Sequence, residues 1–317
     1  TRGPSPKVLE ALASVTPEAI ATYPEYKAAY GRFAAHFGVD PAGMLATNGT
    51  DEAIRVIFAT YIEEGDTVVL SSPTYALFEI ESALSGADVR RVMYNPDLSF
   101  PDRAFIEAAQ GARMAVVVTP NNPTGTAVGI DTIRALAETC EIVLVDEAYY
   151  DFNGVSALPL LAEYDNIVVT RTFSKAYGLA GMRLGFAFAS PDTITTLRKV
   201  ASPYSVNTLV LACALATLDD QAYIDAYIDE IRASRTRLIE GLRALGYETF
   251  DSCANFVVCR VGPDATDVAR SLEARGILVR DRSSYPLLEG CIRISVGTHE
   301  NTAQVLAAMG EIRRERS

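Results

Sequence analysis

Between residues 51 and 189 the chain alternates short, nearly unbroken apolar runs with longer stretches whose apolar residues recur every three or four positions. Helical spacing over 51–62 gives way to Thr67-Val-Val-Leu70, then to a helix from Ala76 and a strand over 89–93. A helix near 102–109 precedes a strand over 114–119, and a helix over 130–139 precedes one over 142–146. Runs over 167–170 and 184–189 complete the series. These runs lack polar alternation, which predicts strands covered on both faces. The alternation of strand and helix predicts an α/β fold, a mostly parallel sheet with helices on each side.

Beyond Pro191 the rhythm changes. Helices over 191–200, 207–218 and 221–245 are followed by a strand over 255–261, a helix over 267–275, a strand over 292–295 and a helix from Glu300. This predicts a smaller α+β unit. A boundary near 219 divides the chain into a large domain, 31–218, and a small domain made of 1–30 together with 219–317. A length of 317 residues suits two such units. The chain opens at Thr1 without a methionine, and a further N-terminal piece is expected before it.

A formal charge of −12 excludes nucleic acid or an anionic membrane as the main partner, so any anionic ligand must be caught by a local cluster of cations. Five cysteines without a C-x-x-C pair suggest reduced, buried thiols and a cytoplasmic setting, and only two histidines argue against a zinc site or other metal. No apolar run reaches the length of a membrane span.

One of only four lysines, Lys175, follows the apolar run Ile167-Val-Val-Thr170 and precedes a glycine-punctuated stretch. An ammonium there is either a solvated loop charge, a paired charge, or an amine with a depressed pKa able to form a Schiff base with a carbonyl such as the aldehyde of pyridoxal phosphate. Asn48-Gly-Thr-Asp-Glu52 opens a helix, where an ordinary N-cap and a phosphate site on the N–H groups of Gly49, Thr50 and Asp51 are both open readings. Thr172, Ser174 and Arg183 would supply hydroxyl and cationic help to the second. Thr119-Pro-Asn-Asn-Pro-Thr-Gly125 is a rigid turn at the carboxyl end of a strand, suited to aiming Asn122 at a ligand. Asp146 ends a buried strand in a carboxylate that needs a partner, and Tyr149 follows it. Tyr75 either joins the core or sets an aromatic face against a flat ring. Arg280, Arg282 and Arg293 fall in the C-terminal unit; Arg293, among apolar neighbours, is either salt-bridged or aimed at a carboxylate or phosphate.

Gly49-Thr-Asp-Glu52, Pro120-Asn-Asn-Pro-Thr-Gly125, Asp146-Glu-Ala-Tyr149, Ser174-Lys175 with Arg183 eight residues on, and Arg293-Ile-Ser-Val-Gly297 resemble, in order and spacing, the fold type I pyridoxal-phosphate aminotransferases of class I/II. With Tyr23-Pro-Glu25 upstream and Gly276-Ile-Leu-Val-Arg280-Asp281 downstream, the wording is most similar to the histidinol-phosphate aminotransferase branch. The resemblance covers nearly the whole chain and implies a seven-stranded, mostly parallel sheet. It implies that Lys175 forms the aldimine with pyridoxal phosphate and then carries the substrate's Cα proton. Asp146 would hold the ring nitrogen protonated, Asn122 and Tyr149 would bond the ring's 3-oxygen, and Tyr75 would stack on the ring. Gly49, Thr50, Asp51, Thr172, Ser174 and Arg183 would form the phosphate cup, completed in a homodimer by Tyr23 of the neighbouring subunit. Arg293, with Arg280 nearby and Asn122 beside it, would clamp the substrate's carboxylate or phosphate. The implied reaction is a ping-pong transfer, through the pyridoxamine form, between an amino acid or histidinol phosphate and a 2-oxo acid.

Three departures from the family's pattern lie at substrate-facing places. Only Thr1-Arg2 precedes Gly3-Pro-Ser-Pro6, Tyr26 follows Tyr23-Pro-Glu25, and Tyr204-Ser-Val-Asn207 stands where a second asparagine is commoner. A decarboxylase, oxidase or cyclase on the same fold is therefore the alternative activity. A cofactor-sensing domain attached to a DNA-binding module is disfavoured by the missing basic segment and the intact Lys175, Asp146 and Arg293.

Overall fold

The computed structural model describes residues 2–316. Three helices, α1 (Pro6–Ala13), α2 (Pro17–Ala21) and α3 (Tyr26–Phe37), precede strand β1 (Met44–Asn48). The alternating region follows as α4 (Gly49–Tyr61), β2 (Thr67–Ser72), α5 (Ala76–Leu84), β3 (Asp88–Met93), α6 (Asp102–Ala109), β4 (Met114–Val118), α7 (Ile130–Ala137) and β5 (Ile142–Asp146). Then come α8 (Tyr150–Asn153), β6 (Ile167–Thr172), β7 (Leu184–Phe188), α9 (Pro191–Leu197), α10 (Thr208–Leu218) and α11 (Gln221–Ala244). The remainder is β8 (Glu248–Thr249), β9 (Phe256–Arg260), α12 (Ala265–Glu273), β10 (Arg280–Asp281), β11 (Cys291–Ser295) and α13 (His299–Glu315).

Among the described residues the larger sheet has seven strands in the order β1-β7-β6-β5-β4-β2-β3. Neighbours from β3 to β6 pair in parallel, whereas β7 runs antiparallel to both β6 and β1. The unbroken apolar runs are explained by burial on both faces. In β4, Ala115 and Val117 join the core on one side of the sheet, while Met114, Val116 and Val118 join the core on the other. Val143 and Val145 against Leu144, and Ile167 and Val169 against Val168, divide in the same way, as the two-residue repeat of a strand requires.

The segment pattern does not reveal β1. It is five residues long and ends in Ala-Thr-Asn, with too little hydrophobicity to stand out; its place is set by pairing with β7, from Met44 opposite Phe188 to Asn48 opposite Leu184. A second sheet, β10-β11-β9-β8, makes the C-terminal α+β unit, with α11 and α12 against it and α13 packed on those two helices. The two-residue strands β8 and β10 were equally invisible to periodicity, since two residues carry no period. The N-terminal helices lie on α10, with the Ser5 hydroxyl and Lys7 ammonium bonded to Asp220 and Asp219 and Arg32 paired with Asp219 at 2.5 Å.

Candidate active site

The strand directions bring the chemistry to one edge. Parallel β2, β4, β5 and β6 end there at Ser72, Val118, Asp146 and Thr172, where open α/β sheets take ligands. Two successive antiparallel pairings return β1 to the same direction, so α4 also starts at this edge, and β7 begins there directly after Arg183. A cavity of about 170 Å³ results, lined by Thr50, Asp51, Tyr75, Asn122, Asp146, Tyr149, Thr172, Ser174, Lys175 and Arg183. Positions as far apart in sequence as Thr50 and Arg183 meet there only through sheet order.

One end of the cavity suits an anion. Asn48 makes no side-chain capping bond, which removes the ordinary N-cap reading and leaves the first-turn N–H groups of α4 without an intrahelical partner. Gly49 adopts a positive φ of 75°, and a Cβ on it would sit 2.5 Å from Arg183 Nη2. Gly185 is equally confined, since a Cβ there would lie 2.5 Å from Thr50 N. These two glycines let the β7 backbone and the Arg183 guanidinium crowd the helix start. Arg183 meanwhile donates to Asp51 Oδ2 at 2.8 Å, and Thr172 Oγ1 donates to Ser174 Oγ at 2.9 Å. Backbone N–H groups, two hydroxyls and a guanidinium around one point match a phosphate ester.

The other end holds an acid. Asp146 is 3 % exposed; its Oδ1 accepts from Thr170 Oγ1 at 3.0 Å and from Ala148 N at 3.2 Å. Burial pushes its pKa up to about 6, against the opposing pull of Thr170, Ala148 and the nearby Lys175 charge. The Lys175 ammonium is half-buried and stands 5.3 Å from the centre of the Tyr149 ring. Tyr75 donates to Asp51 Oδ1 at 3.2 Å, and burial with the Asp51 charge raises its phenol to about 12. Tyr75 is thus both a cavity wall and a phenol that stays protonated at neutral pH.

Next to Asp146, Glu147 points to the opposite face of the sheet and pairs with Arg171 at 2.9 Å, with Ser156 as a further partner. A larger cavity of about 660 Å³ opens on that side, lined by Arg171, Tyr177 and Asp151 but by none of the residues around Lys175.

Arg293 approaches from β11. Its Nη1 donates to Asn122 Oδ1 at 2.5 Å, and its guanidinium lies 4.9 Å from the Phe256 ring centre. Among the described residues Arg293 forms no ion pair, which removes the salt-bridge reading and leaves the anion-directed one. Arg280 pairs with it directly across β10 and β11 and is exposed. Tyr23 stands apart from this cavity. It is 78 % exposed and stacks on Tyr204 with ring centres 4.4 Å apart. Sequence reasoning missed Thr170, which fixes Asp146, and Phe256, which underlies Arg293; each looks like an ordinary strand residue, and only cross-strand register shows its neighbour. Asn121, fully buried, ties the 119–125 turn to Thr74, Pro73 and Thr124, leaving the adjacent Asn122 free to face the cavity.

The family model for aminotransferases of class I and II matches residues 1–309. The chain is 34% identical to a histidinol-phosphate aminotransferase of Haloquadratum walsbyi, covering 96% of this chain and 81% of that protein. It is 37% identical to the enzyme of the same name from Roseiflexus castenholzii, covering 98% and 86%. Among solved structures, histidinol-phosphate aminotransferase from Sinorhizobium meliloti in complex with pyridoxal-5'-phosphate superimposes with a TM-score of 0.89 at 28% identity, covering 99% of this chain and 89% of that one. From the sheet order, the lysine and carboxylate at its edge and the match along nearly all its length, the chain belongs to the class I and II aminotransferases, with their fold type I architecture.

Proposed function

We propose that this chain is a pyridoxal-phosphate-dependent aminotransferase that takes histidinol phosphate, or an amine with the same phosphate-bearing arm, as amino donor and a 2-oxo acid as acceptor. The observation that carries it is the single cavity in which Lys175, Asp146, Asn122 and Tyr149 share walls with the anion cradle of Thr50, Ser174 and Arg183. The names of the relatives support the donor, and the unpaired Arg293 supports an anionic group on it.

The residues present fit the cofactor. The cradle that Gly49 and Gly185 keep open would hold its phosphate, with the Arg183 guanidinium released from Asp51 as the anion's partner. Asp146, held by Thr170, would face the ring nitrogen, and Tyr75 would cover one side of the ring. When bound, the cofactor supplies the aldehyde carbon that exchanges the amino group and a ring that accepts electrons from the substrate's Cα. The Lys175 amine would take the proton from that Cα and return it later, the task of a base on a flexible stem. Asp146 would keep a proton on the ring nitrogen, and Asn122 and Tyr149 would hold the ring's 3-oxygen. Arg293 orients the substrate by its anionic end, so that the amine lies towards Lys175.

Residues 31–218 form the cofactor-holding body in this reading, with 1–30 and 219–317 as the smaller one. Tyr23, turned outward, completes the cup of a second copy in a homodimer. The charge and the reduced cysteines suit the cytoplasm; among the described residues no helix is long and apolar enough to cross a membrane.

The test is a half-reaction: holoenzyme mixed with histidinol phosphate and no acceptor should lose its visible absorbance once, stoichiometrically, and regain it on adding a 2-oxo acid. Lys175→Ala should abolish both the original absorbance and turnover. Repeated turnover with oxygen consumed, or carbon dioxide released, would replace the transfer with oxidation or decarboxylation.

A further inference from the structure

Two of the places where the chain departs from the family's pattern, Tyr26 and Ser205, meet beside the start of α4. Ser205 lies in the turn that leads into α10, and its hydroxyl donates to Glu52 Oε1 at 2.6 Å, with Ser202 O a longer acceptor at 3.1 Å. The other oxygen of that carboxylate, Oε2, accepts the backbone N–H of Asn48 at 2.5 Å. Glu52 stands in the first turn of α4, so its side chain bends back on the helix start in the manner of a capping box, one residue further along. This contact takes the N–H of Asn48 and leaves those of Gly49, Thr50 and Asp51, the donors of the cradle, for an anion.

Glu52 is also a negative charge set close to where a phosphate would sit. A helix dipole favours a carboxylate at the N-terminus for the same reason that it favours a phosphate there, so a mobile Glu52 would compete for the cradle. Its two oxygens are instead bonded outside the cavity: neither Glu52 nor Ser205 lines the space around Lys175, and Ser205 lines a separate cavity of about 540 Å³ with Tyr26 and Tyr30. The turn that carries Ser205 is itself held at each neighbouring residue. Tyr26 donates to Val206 O at 2.7 Å and accepts from Val206 N at 3.3 Å. Tyr204 stacks on both Tyr23 and Tyr26, with ring centres 4.4 and 6.5 Å away. A serine places its hydroxyl through one side-chain torsion, so fixing residues 204 and 206 fixes where that hydroxyl can reach.

We infer that Ser205 is a positioning residue for the anion cradle: through Glu52 it fixes the start of α4 and keeps the Glu52 charge turned away from the cofactor's phosphate. The inference rests on the reading that the α4 start holds that phosphate. Because Ser205 lies outside the cavity, its loss acts on the phosphate end and leaves the Lys175 end in place.

Equilibrium dialysis of the holoenzyme, loaded with pyridoxal phosphate or with pyridoxal, which lacks the phosphate, gives the dissociation constant of each and tests this. Ser205→Ala should weaken pyridoxal phosphate by about 3- to 10-fold, the net worth of one hydrogen bond, and pyridoxal much less. Ser205→Thr, which keeps the hydroxyl, should bind both as the parent does. Tyr26→Phe releases the Val206 peptide without altering Ser205, and it should show the same selective loss. In a Glu52→Gln background, Ser205→Ala should have little further effect, since its action runs through that carboxylate. Equal weakening of both aldehydes, or a loss of the same size in the Glu52→Gln background, overturns the inference. If the parent itself binds pyridoxal as tightly as pyridoxal phosphate, the cradle reading fails and the inference falls with it. If the parent prefers the phosphate and Ser205→Ala keeps that preference in full, the inference alone fails.

Discussion

Asp146→Asn separates what the active site costs the fold from what it supplies to the reaction. In the cofactor-free protein the Asp146 carboxyl is pushed up to about 6 from a reference value of 3.8, chiefly by burial. That difference of about 2 units, at about 1.36 kcal/mol each, means that keeping the group ionised costs the fold about 3 kcal/mol. The sign follows from the direction of the shift. The folded state binds the proton more tightly than the unfolded chain, so the stabilisation is full below about pH 4 and is lost as the pH rises towards about 6. Asparagine retains the Oδ1 acceptor that serves Thr170 Oγ1 and Ala148 N. Cofactor-free Asp146→Asn should therefore be more stable than the parent at about pH 8, by up to about 3 kcal/mol, and no more stable at about pH 4. Urea unfolding of both proteins across this range gives the difference as a function of pH, with all other carboxylates cancelling. The cofactor should reverse the ranking, because a protonated ring nitrogen gives the carboxylate the cationic partner it lacks. A variant that is less stable at about pH 8, or one that gains equally at both ends of the range, would refute the reasoning.

Gly185→Ala places a Cβ 2.5 Å from Thr50 N, so the α4 start must move away from β7; cofactor affinity in a titration should fall together with the melting temperature, and normal affinity would show that the cradle tolerates the shift. Arg293→Ala removes the donor to Asn122 and the anion clamp, and KM for an anionic donor should rise by about 10- to 100-fold with a smaller change in kcat. An unchanged KM would move the clamp to Arg280.

Much of the site was legible because its chemistry sits in residue types that a strand end rarely tolerates without cause. Asp146 closing a buried apolar run, Lys175 after another, and a proline-asparagine turn after a third each demanded a partner. The periodicity also gave six of the seven strands of the larger sheet, since runs such as Val143-Leu-Val145 have the unbroken apolar character that two-sided burial imposes. β1 escaped because pairing with β7, and not its own composition, makes it a strand. Thr170 and Phe256 escaped because their importance lies in a neighbour across the sheet. The Asn48 cap and the Arg293 salt bridge were open alternatives in the sequence, and both are excluded by which atoms those side chains reach.

By itself the sequence determined the kinds of group available: a lysine and an aspartate at the ends of apolar runs, a glycine at a helix start, and arginines in an acidic chain. Those are properties of residue type and local order, fixed before folding. Only the tertiary structure decided that they meet at one edge of the sheet, because antiparallel β7 and the return of β1 bring Arg183 and Gly49 to where β4, β5 and β6 end. It also decided that Arg293 stands directly opposite Arg280 across β10 and β11. Register and burial are relations between distant segments, and they set both the raised pKa of Asp146 and, among the described residues, the absence of an ion pair at Arg293.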